Sequence, residues 1–271
     1  MVIKEKPLQH WIDHFFGYGS WQSPCWFIAW EESGGDLPEE VAEKLNYFYK
    51  AHPSSTSSTL CDIRELYRHA AARMDGPRAT RFTTLYDYRF GHDAILHGIW
   101  KNLIAFAHGY RDEELPDLLA YQKDSFASMT AQREALIQLY PLPSPHNHAW
   151  YYSWLDMVQF PFLKSRALYE EQLYESRVHS LLYNISVYKP TVVLMYDMEN
   201  INALKKSVQA FFSGVNFTMV KGSTLQFPQH HRADFNGTTL LITTQTPALR
   251  HNRIETGFDW QDFGRRVKLG S

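Results

Sequence analysis

Cys25-Trp26-Phe27-Ile28-Ala29-Trp30-Glu31-Glu32-Ser33-Gly34-Gly35 decides how the chain is read. The run Cys25–Ala29 is apolar and short, which predicts a buried strand. It leads into two adjacent carboxylates and a Gly-Gly turn. In α/β proteins ligands bind at the carboxyl ends of parallel strands, and glycine lets a backbone approach a ligand closely. Adjacent residues of an extended segment point to opposite sides, so one of Glu31 and Glu32 is expected to face a pocket. The competing reading is a strand followed by a solvated acidic loop.

Outward from this strand, element types alternate. Leu37, Val41, Leu45 and Phe48 fall at helical spacing, and a second helix is expected over Ile63–Met74 with Asp62 as its cap. Between them, Pro53–Thr59 reads as a flexible Ser/Thr loop. Helical patches at Ala94–Ala107 and Leu118–Met129 flank Pro116. Ala135–Tyr140 reads as a strand stopped by Pro141, Pro143 and Pro145. A long amphipathic helix is expected over Phe162–Tyr183, then a strand over Thr191–Tyr196 and a helix over Ile201–Phe212. Phe217–Val220 reads as a short edge strand, Thr238–Thr243 as a strong strand and Trp260–Val267 as a closing helix. Strands alternating with helices predict an α/β protein, a three-layer α/β/α sandwich with a central, mainly parallel four-stranded sheet. Residues 1–271 are expected to form one domain with a largely helical insertion around 50–130.

The chain has 271 residues, 44% of them hydrophobic, enough for a full core. No apolar run approaches the roughly 18 residues of a membrane span, and the N-terminus shows no signal-peptide core. Only Cys25 and Cys61 are present, so a disulfide framework is not expected and a reducing, cytoplasmic setting fits. The net charge of −2 carries no global nucleic-acid signature, but it is unevenly spread. Residues 1–60 hold four Lys and no Arg against eight acids, whereas residues 221–271 hold seven basic and four acidic residues. A basic face near the C-terminus suits phosphates; ordinary surface scatter is the alternative.

Three local patterns, in this order, resemble the uracil-DNA glycosylase superfamily. Trp30-Glu31-Glu32-Ser33-Gly34 resembles its first motif, Lys189-Pro190-Thr191-Val192-Val193-Leu194-Met195-Tyr196 its Lys-Pro-led third strand, and Leu240-Leu241-Ile242-Thr243-Thr244-Gln245-Thr246-Pro247-Ala248 the strand and loop of its second motif. An Arg-bearing segment and a short Trp-containing helix follow. The chain departs from the family pattern at Trp30, where Gly is usual, at Ser33 for the turn Pro, at Thr246 for the motif His and at Gln138 for Asn. Residues 50–130 have no counterpart.

The resemblance implies a monofunctional glycosylase that flips a base out of DNA and hydrolyses its N-glycosidic bond, leaving an abasic site. A carboxylate near C1′ then stabilises the sugar cation and positions water. Glu31 occupies the matching position, with Glu32 as the alternative, and Thr246 is the candidate for leaving-group contact. Gln138 carries both a donor and an acceptor for a base edge; Trp30, Tyr140 and Tyr196 are candidate stacking faces. Gly34, Gly35, Arg250, His251 and Arg253 are candidates for the DNA backbone, double- or single-stranded. The departures point to a base other than uracil, and one branch of similar layout serves antiphage defence by removing glucosylated hydroxymethylcytosine from phage DNA.

No cofactor is implied. No metal site is expected at His10 and His14, which lack a third ligand. Gly91-His92-Asp93 with His97 hints at a phosphohydrolase without its remaining ligands. His146-Asn147-His148 is a possible pocket loop, and His230-His231 is expected at the surface. The rival functions are a non-catalytic nucleic-acid-binding relative and a metal-dependent nucleotide hydrolase using Glu31 and Glu32.

Overall fold

The computed structural model describes residues 3–34, 38–70, 74, 76–145, 150–221, 227–248 and 259–270. Along the chain run α1 (Glu5–His14), β1 (Phe15–Tyr18), β2 (Cys25–Ala29), α2 (Pro38–Ala51), β3 (Thr59–Cys61), α3 (Ile63–His69), α4 (Leu85–Phe90), α5 (Gly98–Arg111), α6 (Leu118–Asp124), β4 (Glu134–Gln138), α7 (Arg166–Tyr188), β5 (Val192–Tyr196), α8 (Ile201–Phe211), β6 (Thr218–Val220), β7 (His230–Phe235), β8 (Thr238–Ile242) and α9 (Trp260–Leu269). Short 3₁₀ turns occupy Gly76–Thr80, Tyr151–Leu155 and Pro161–Lys164.

Among the described residues the sheet has eight strands, in the order β3-β1-β4-β2-β5-β8-β7-β6. Its centre, β4-β2-β5-β8, is parallel throughout and consists of the four apolar runs expected from sequence. The expected four-stranded sheet is therefore corrected to a mixed, eight-stranded one. β1 joins β4 antiparallel and pairs β3 in parallel; β7 joins β8 antiparallel and carries β6 on its far side.

Both faces of the central strands are covered. Successive strand residues point to opposite faces. On one face the Phe27 ring meets Phe106 of α5 at 6.0 Å. On the other, Ile28 lies with Val178, Leu181 and Leu182 of α7. Every residue of β2, β4, β5 and β8 is buried, which is why these strands read as continuous apolar runs. Burying a side chain such as Phe27 or Leu194 stabilises by about 1.5–3 kcal/mol.

Several boundaries differ from expectation for local reasons. α3 begins where Asp62 accepts a hydrogen bond from the Arg64 amide, and its last helical residue is His69. α5 starts only after His97, whose imidazole caps the amides of Ile99 and Trp100. α6 stops at Asp124. The Ser/Thr stretch is not loop throughout, since Thr59 opens β3. His230, expected at the surface, is 3% exposed at the start of β7, and its ring packs 5.1 Å from Phe263.

α5 also carries α9. A Cβ on Gly109 would sit inside the carbonyl of Gln261, and one on Gly264 inside the carbonyl of Phe106. Only glycine permits so close a helix crossing. Among the described residues no helix is long and apolar enough to cross a membrane. Cys25 and Cys61 are free and buried.

Candidate functional site

The parallel strands β2, β4 and β5 end together, and the loops that follow them are zipped into one frame. Beyond β2 and β4, Leu139 donates to the Ala29 carbonyl at 2.9 Å, Tyr140 to Trp30 at 2.9 Å and Ser144 to Glu32 at 3.0 Å, and Gly34 donates to Ser144 at 3.2 Å. Gly34 has φ +143°, a conformation that residues with a Cβ rarely adopt. Beyond β5 and β8, Met198 donates to the Thr243 carbonyl at 3.2 Å. Arg177 of α7 braces the same edge from beneath. Its guanidinium donates to the carbonyls of Phe15, Gln138 and Leu139, each at 2.8 Å. The two carboxylates thus sit on a hydrogen-bonded extension of the sheet rather than on a loose loop.

Over these strand ends lies a cavity of about 820 Å³. Glu31, Glu32, Gly34, Gln138, Tyr196 and Asp197 line its sheet side, and Arg78, Tyr88, Arg89, His97 and Trp100 line the side built by residues 76–100. Glu31 and Glu32 diverge as extended neighbours should, yet both border the cavity, where one alone was expected.

Their environments differ. The Glu32 carboxylate accepts hydrogen bonds from the Tyr18 and Tyr67 hydroxyls at 2.8 Å each and from the Lys44 ammonium at 3.3 Å. Lys44 also pairs with Glu40 at 2.9 Å. The Lys44 and Glu32 side chains are only 1% and 9% exposed. Burial alone would lower the Lys44 pKa, but Glu32, Tyr67 and Glu40 hold it well above the ordinary value. Lys44 is therefore a fixed cation rather than a free amine nucleophile.

Among the described residues Glu31 has one charged hydrogen-bond partner, Arg166 of α7 at 2.7 Å. Burial pushes the Glu31 carboxyl up to about 7, with Arg166 opposing the rise. Arg166 is itself held by Ser144 at 2.7 Å and lies over the Trp150 ring. A carboxyl poised near neutrality and facing a cavity suits proton transfer or stabilisation of a nearby cation.

Gln138 is 2% exposed, and its Oε1 is buried without a hydrogen-bond partner among the described residues. A buried acceptor left unsatisfied costs about 1–3 kcal/mol, which a ligand N–H would recover. His97 is the site's neutral donor. Burial and the neighbouring Arg89 push its imidazole down to about 3. Its Nδ1 is engaged by the Ile99 and Trp100 amides at 3.2 and 3.3 Å. The ring proton accordingly sits on Nε2.

The other sequence candidates are distributed as follows. Tyr196 borders the cavity. Trp30 and Tyr140 do not line it. Their rings meet at 5.0 Å within the core, where the Trp30 indole donates to Glu170 at 3.3 Å and the Tyr140 hydroxyl to the Glu170 carbonyl. Thr246 stands just behind the wall, donating to Asp197 Oδ1 at 2.6 Å. Gly35, Arg250, His251, Arg253 and His146–His148 lie outside the described residues.

Lys44, Arg78, Arg89, Arg166 and Asp197 were not anticipated as site residues. Lys44 had a visible signal, since it occupies the apolar stripe of α2 between Val41 and Leu45. The others are brought in by long-range packing. Among the described residues no group of three or more His, Cys, Asp or Glu side chains could hold a metal ion. No family model matches the chain, and searches of curated proteins and of solved structures return no match.

Proposed function

We propose that this chain is a monofunctional DNA glycosylase built on a three-layer α/β/α sandwich, acting on a base bulkier than uracil. The observation that carries the reading is the meeting of Glu31, poised near pH 7, with the Gln138 amide, whose Oε1 has no partner among the described residues, in one cavity at the ends of parallel strands. The flipped nucleotide presents its base edge to Gln138, whose amide supplies an acceptor and a donor. Glu31 faces the sugar, where its carboxylate stabilises the oxocarbenium-like centre at C1′ and accepts the proton of the attacking water. Glu32 is committed to Lys44 and two tyrosines and holds the floor of the site. The protonation of Lys44 favours water over an amine as nucleophile.

Ligand pockets run to about 300–1,000 Å³. A cavity of 820 Å³ lies near the top of that span and leaves room for a base carrying a large substituent, such as a hexose on hydroxymethylcytosine. The experiment is digestion of phage DNAs bearing different cytosine and uracil modifications, with mass spectrometry of the released bases. Release of one modified base, abolished by Glu31→Gln, is the expected result. Absence of release from every DNA, or full activity in Glu31→Gln, overturns the reading.

A further inference from the structure

The side of the cavity facing the carboxylates is cationic, and among the described residues neither of its guanidiniums forms an ion pair. Arg89, on α4, is half-buried. Among the described residues no carboxylate or carbonyl receives its guanidinium, whereas Arg166 has Glu31 and Arg177 has three carbonyls. Arg78, on the preceding 3₁₀ turn, is likewise without an ion pair among the described residues. Both guanidiniums are gathered on one ring, lying 4.3 Å (Arg89) and 5.1 Å (Arg78) from the Tyr88 centroid, and Arg89 also lies 5.8 Å from Trp100. Stacking on aromatic faces fixes the planes of the two forks and leaves their N–H edges for a ligand. His97 lines the same cavity and offers an Nε2–H donor beside them.

A half-buried guanidinium without a counter-ion is costly. Arg89, with the exposed Arg78 and a neutral donor beside it, matches the geometry in which Arg recognises a phosphoryl group. The carboxylates stand on the opposing wall, which sets polarity: anion toward Arg78 and Arg89, sugar cation toward Glu31. We propose that Arg78, Arg89 and His97 form a phosphate subsite for the nucleotide whose base enters the cavity. This deepens the glycosylase reading and rests on it for DNA as the source of the phosphate; a free nucleotide offers the same chemistry.

The test is the salt dependence of binding to a short fluorescent duplex carrying a stable abasic analogue, with 2′-deoxycytidine 5′-monophosphate as a second probe. For wild type, log affinity against log salt falls by about 0.9 per phosphate neutralised. Arg78→Gln and Arg89→Gln are each expected to flatten that slope by about 1 and to weaken binding about tenfold. Arg89→Lys keeps the charge but loses the fork, so its slope is expected to stay while affinity falls. Arg81→Gln, exposed and outside the cavity, is the control. Should Arg89→Gln fail to fold, Arg78→Gln and Arg89→Lys carry the test. Wild-type slope and affinity in folded Arg78→Gln and Arg89→Lys overturn the subsite; base release by wild type in that case leaves the glycosylase reading standing. Binding of the monophosphate that Arg78→Gln weakens, from a protein that releases no base from any DNA, upholds the subsite and removes the glycosylase.

Discussion

Replacing Lys44 by Met tests whether the acidic floor of the cavity is held by a buried ion pair. The change removes an ammonium 3.3 Å from Glu32 and 2.9 Å from Glu40, at a side chain 1% exposed. Removing one member of a buried pair typically costs about 3–5 kcal/mol, because the remaining charge keeps its desolvation penalty. Glu32 retains the Tyr18 and Tyr67 hydroxyls, so the lower end, about 3 kcal/mol, is expected. Urea denaturation followed by circular dichroism reads this as a lower midpoint at constant slope. Glu32→Gln leaves Lys44 its Glu40 contact and should cost about 2 kcal/mol. The double variant Lys44→Met/Glu32→Gln should cost less than the sum of the two by about 2 kcal/mol, since the buried charge of Glu32 is no longer stranded and only the more exposed Glu40 loses its partner. A loss below about 1 kcal/mol for Lys44→Met, or simple additivity in the double variant, would refute the argument that Glu32 is structurally committed and return it to contention with Glu31.

Other expectations follow from the same geometry. Glu31 has a folded pKa of about 7, raised from 4.5. If its ionised form is the working one, activity should fall as pH drops through about 7, and Arg166→Gln should move that limb to higher pH. In stability the sign is opposite: the folded chain holds a proton that the unfolded chain releases above pH 4.5. That contribution is complete below about pH 4.5 and is lost as pH rises through about 7; Glu31→Gln should flatten this dependence in denaturation curves measured across that range. Burial pushes the Cys25 thiol up to about 12 and raises Cys61 as well, so neither should react with a thiol-specific dye at pH 8 until the chain is unfolded; rapid labelling of the native protein would contradict this. Gly109→Ala forces a methyl into the Gln261 carbonyl and should cost about 3 kcal/mol or more in chemical denaturation.

The sequence made the centre of the sheet visible because β2, β4, β5 and β8 are buried on both faces and carry no polar alternation. The flanking strands were hidden for separate reasons. β1, Phe15-Phe16-Gly17-Tyr18, follows α1 with no turn residue between them. β3 begins inside a Ser/Thr patch, and β7 carries His230 and Arg232, whose burial depends on α9 and β8. At the site, Glu31 and Gln138 were legible because strand ends are short-range landmarks. The different settings of Glu31 and Glu32 were not, because they are made by Tyr18, Tyr67, Lys44 and Arg166, which reach the carboxylates from four different elements. Trp30 and Tyr140 were misplaced by the same limit: an aromatic at a strand end looks alike whether it turns to a cavity or to α7.

The crossing of α5 and α9 bears on how residues 50–130 can be handled. Asn102, in the middle of α5, donates to the carbonyls of Pro247 and Ala248 at 3.1 Å each, while the N-terminal end of the same helix presents His97 and Trp100 to the cavity. Residues 50–130 thus contain the post that anchors the loop after β8. The segment is not a removable cassette: excising it would also release that loop and unseat the C-terminal helix. Reshaping of the cavity belongs in point changes on the segment's inner face.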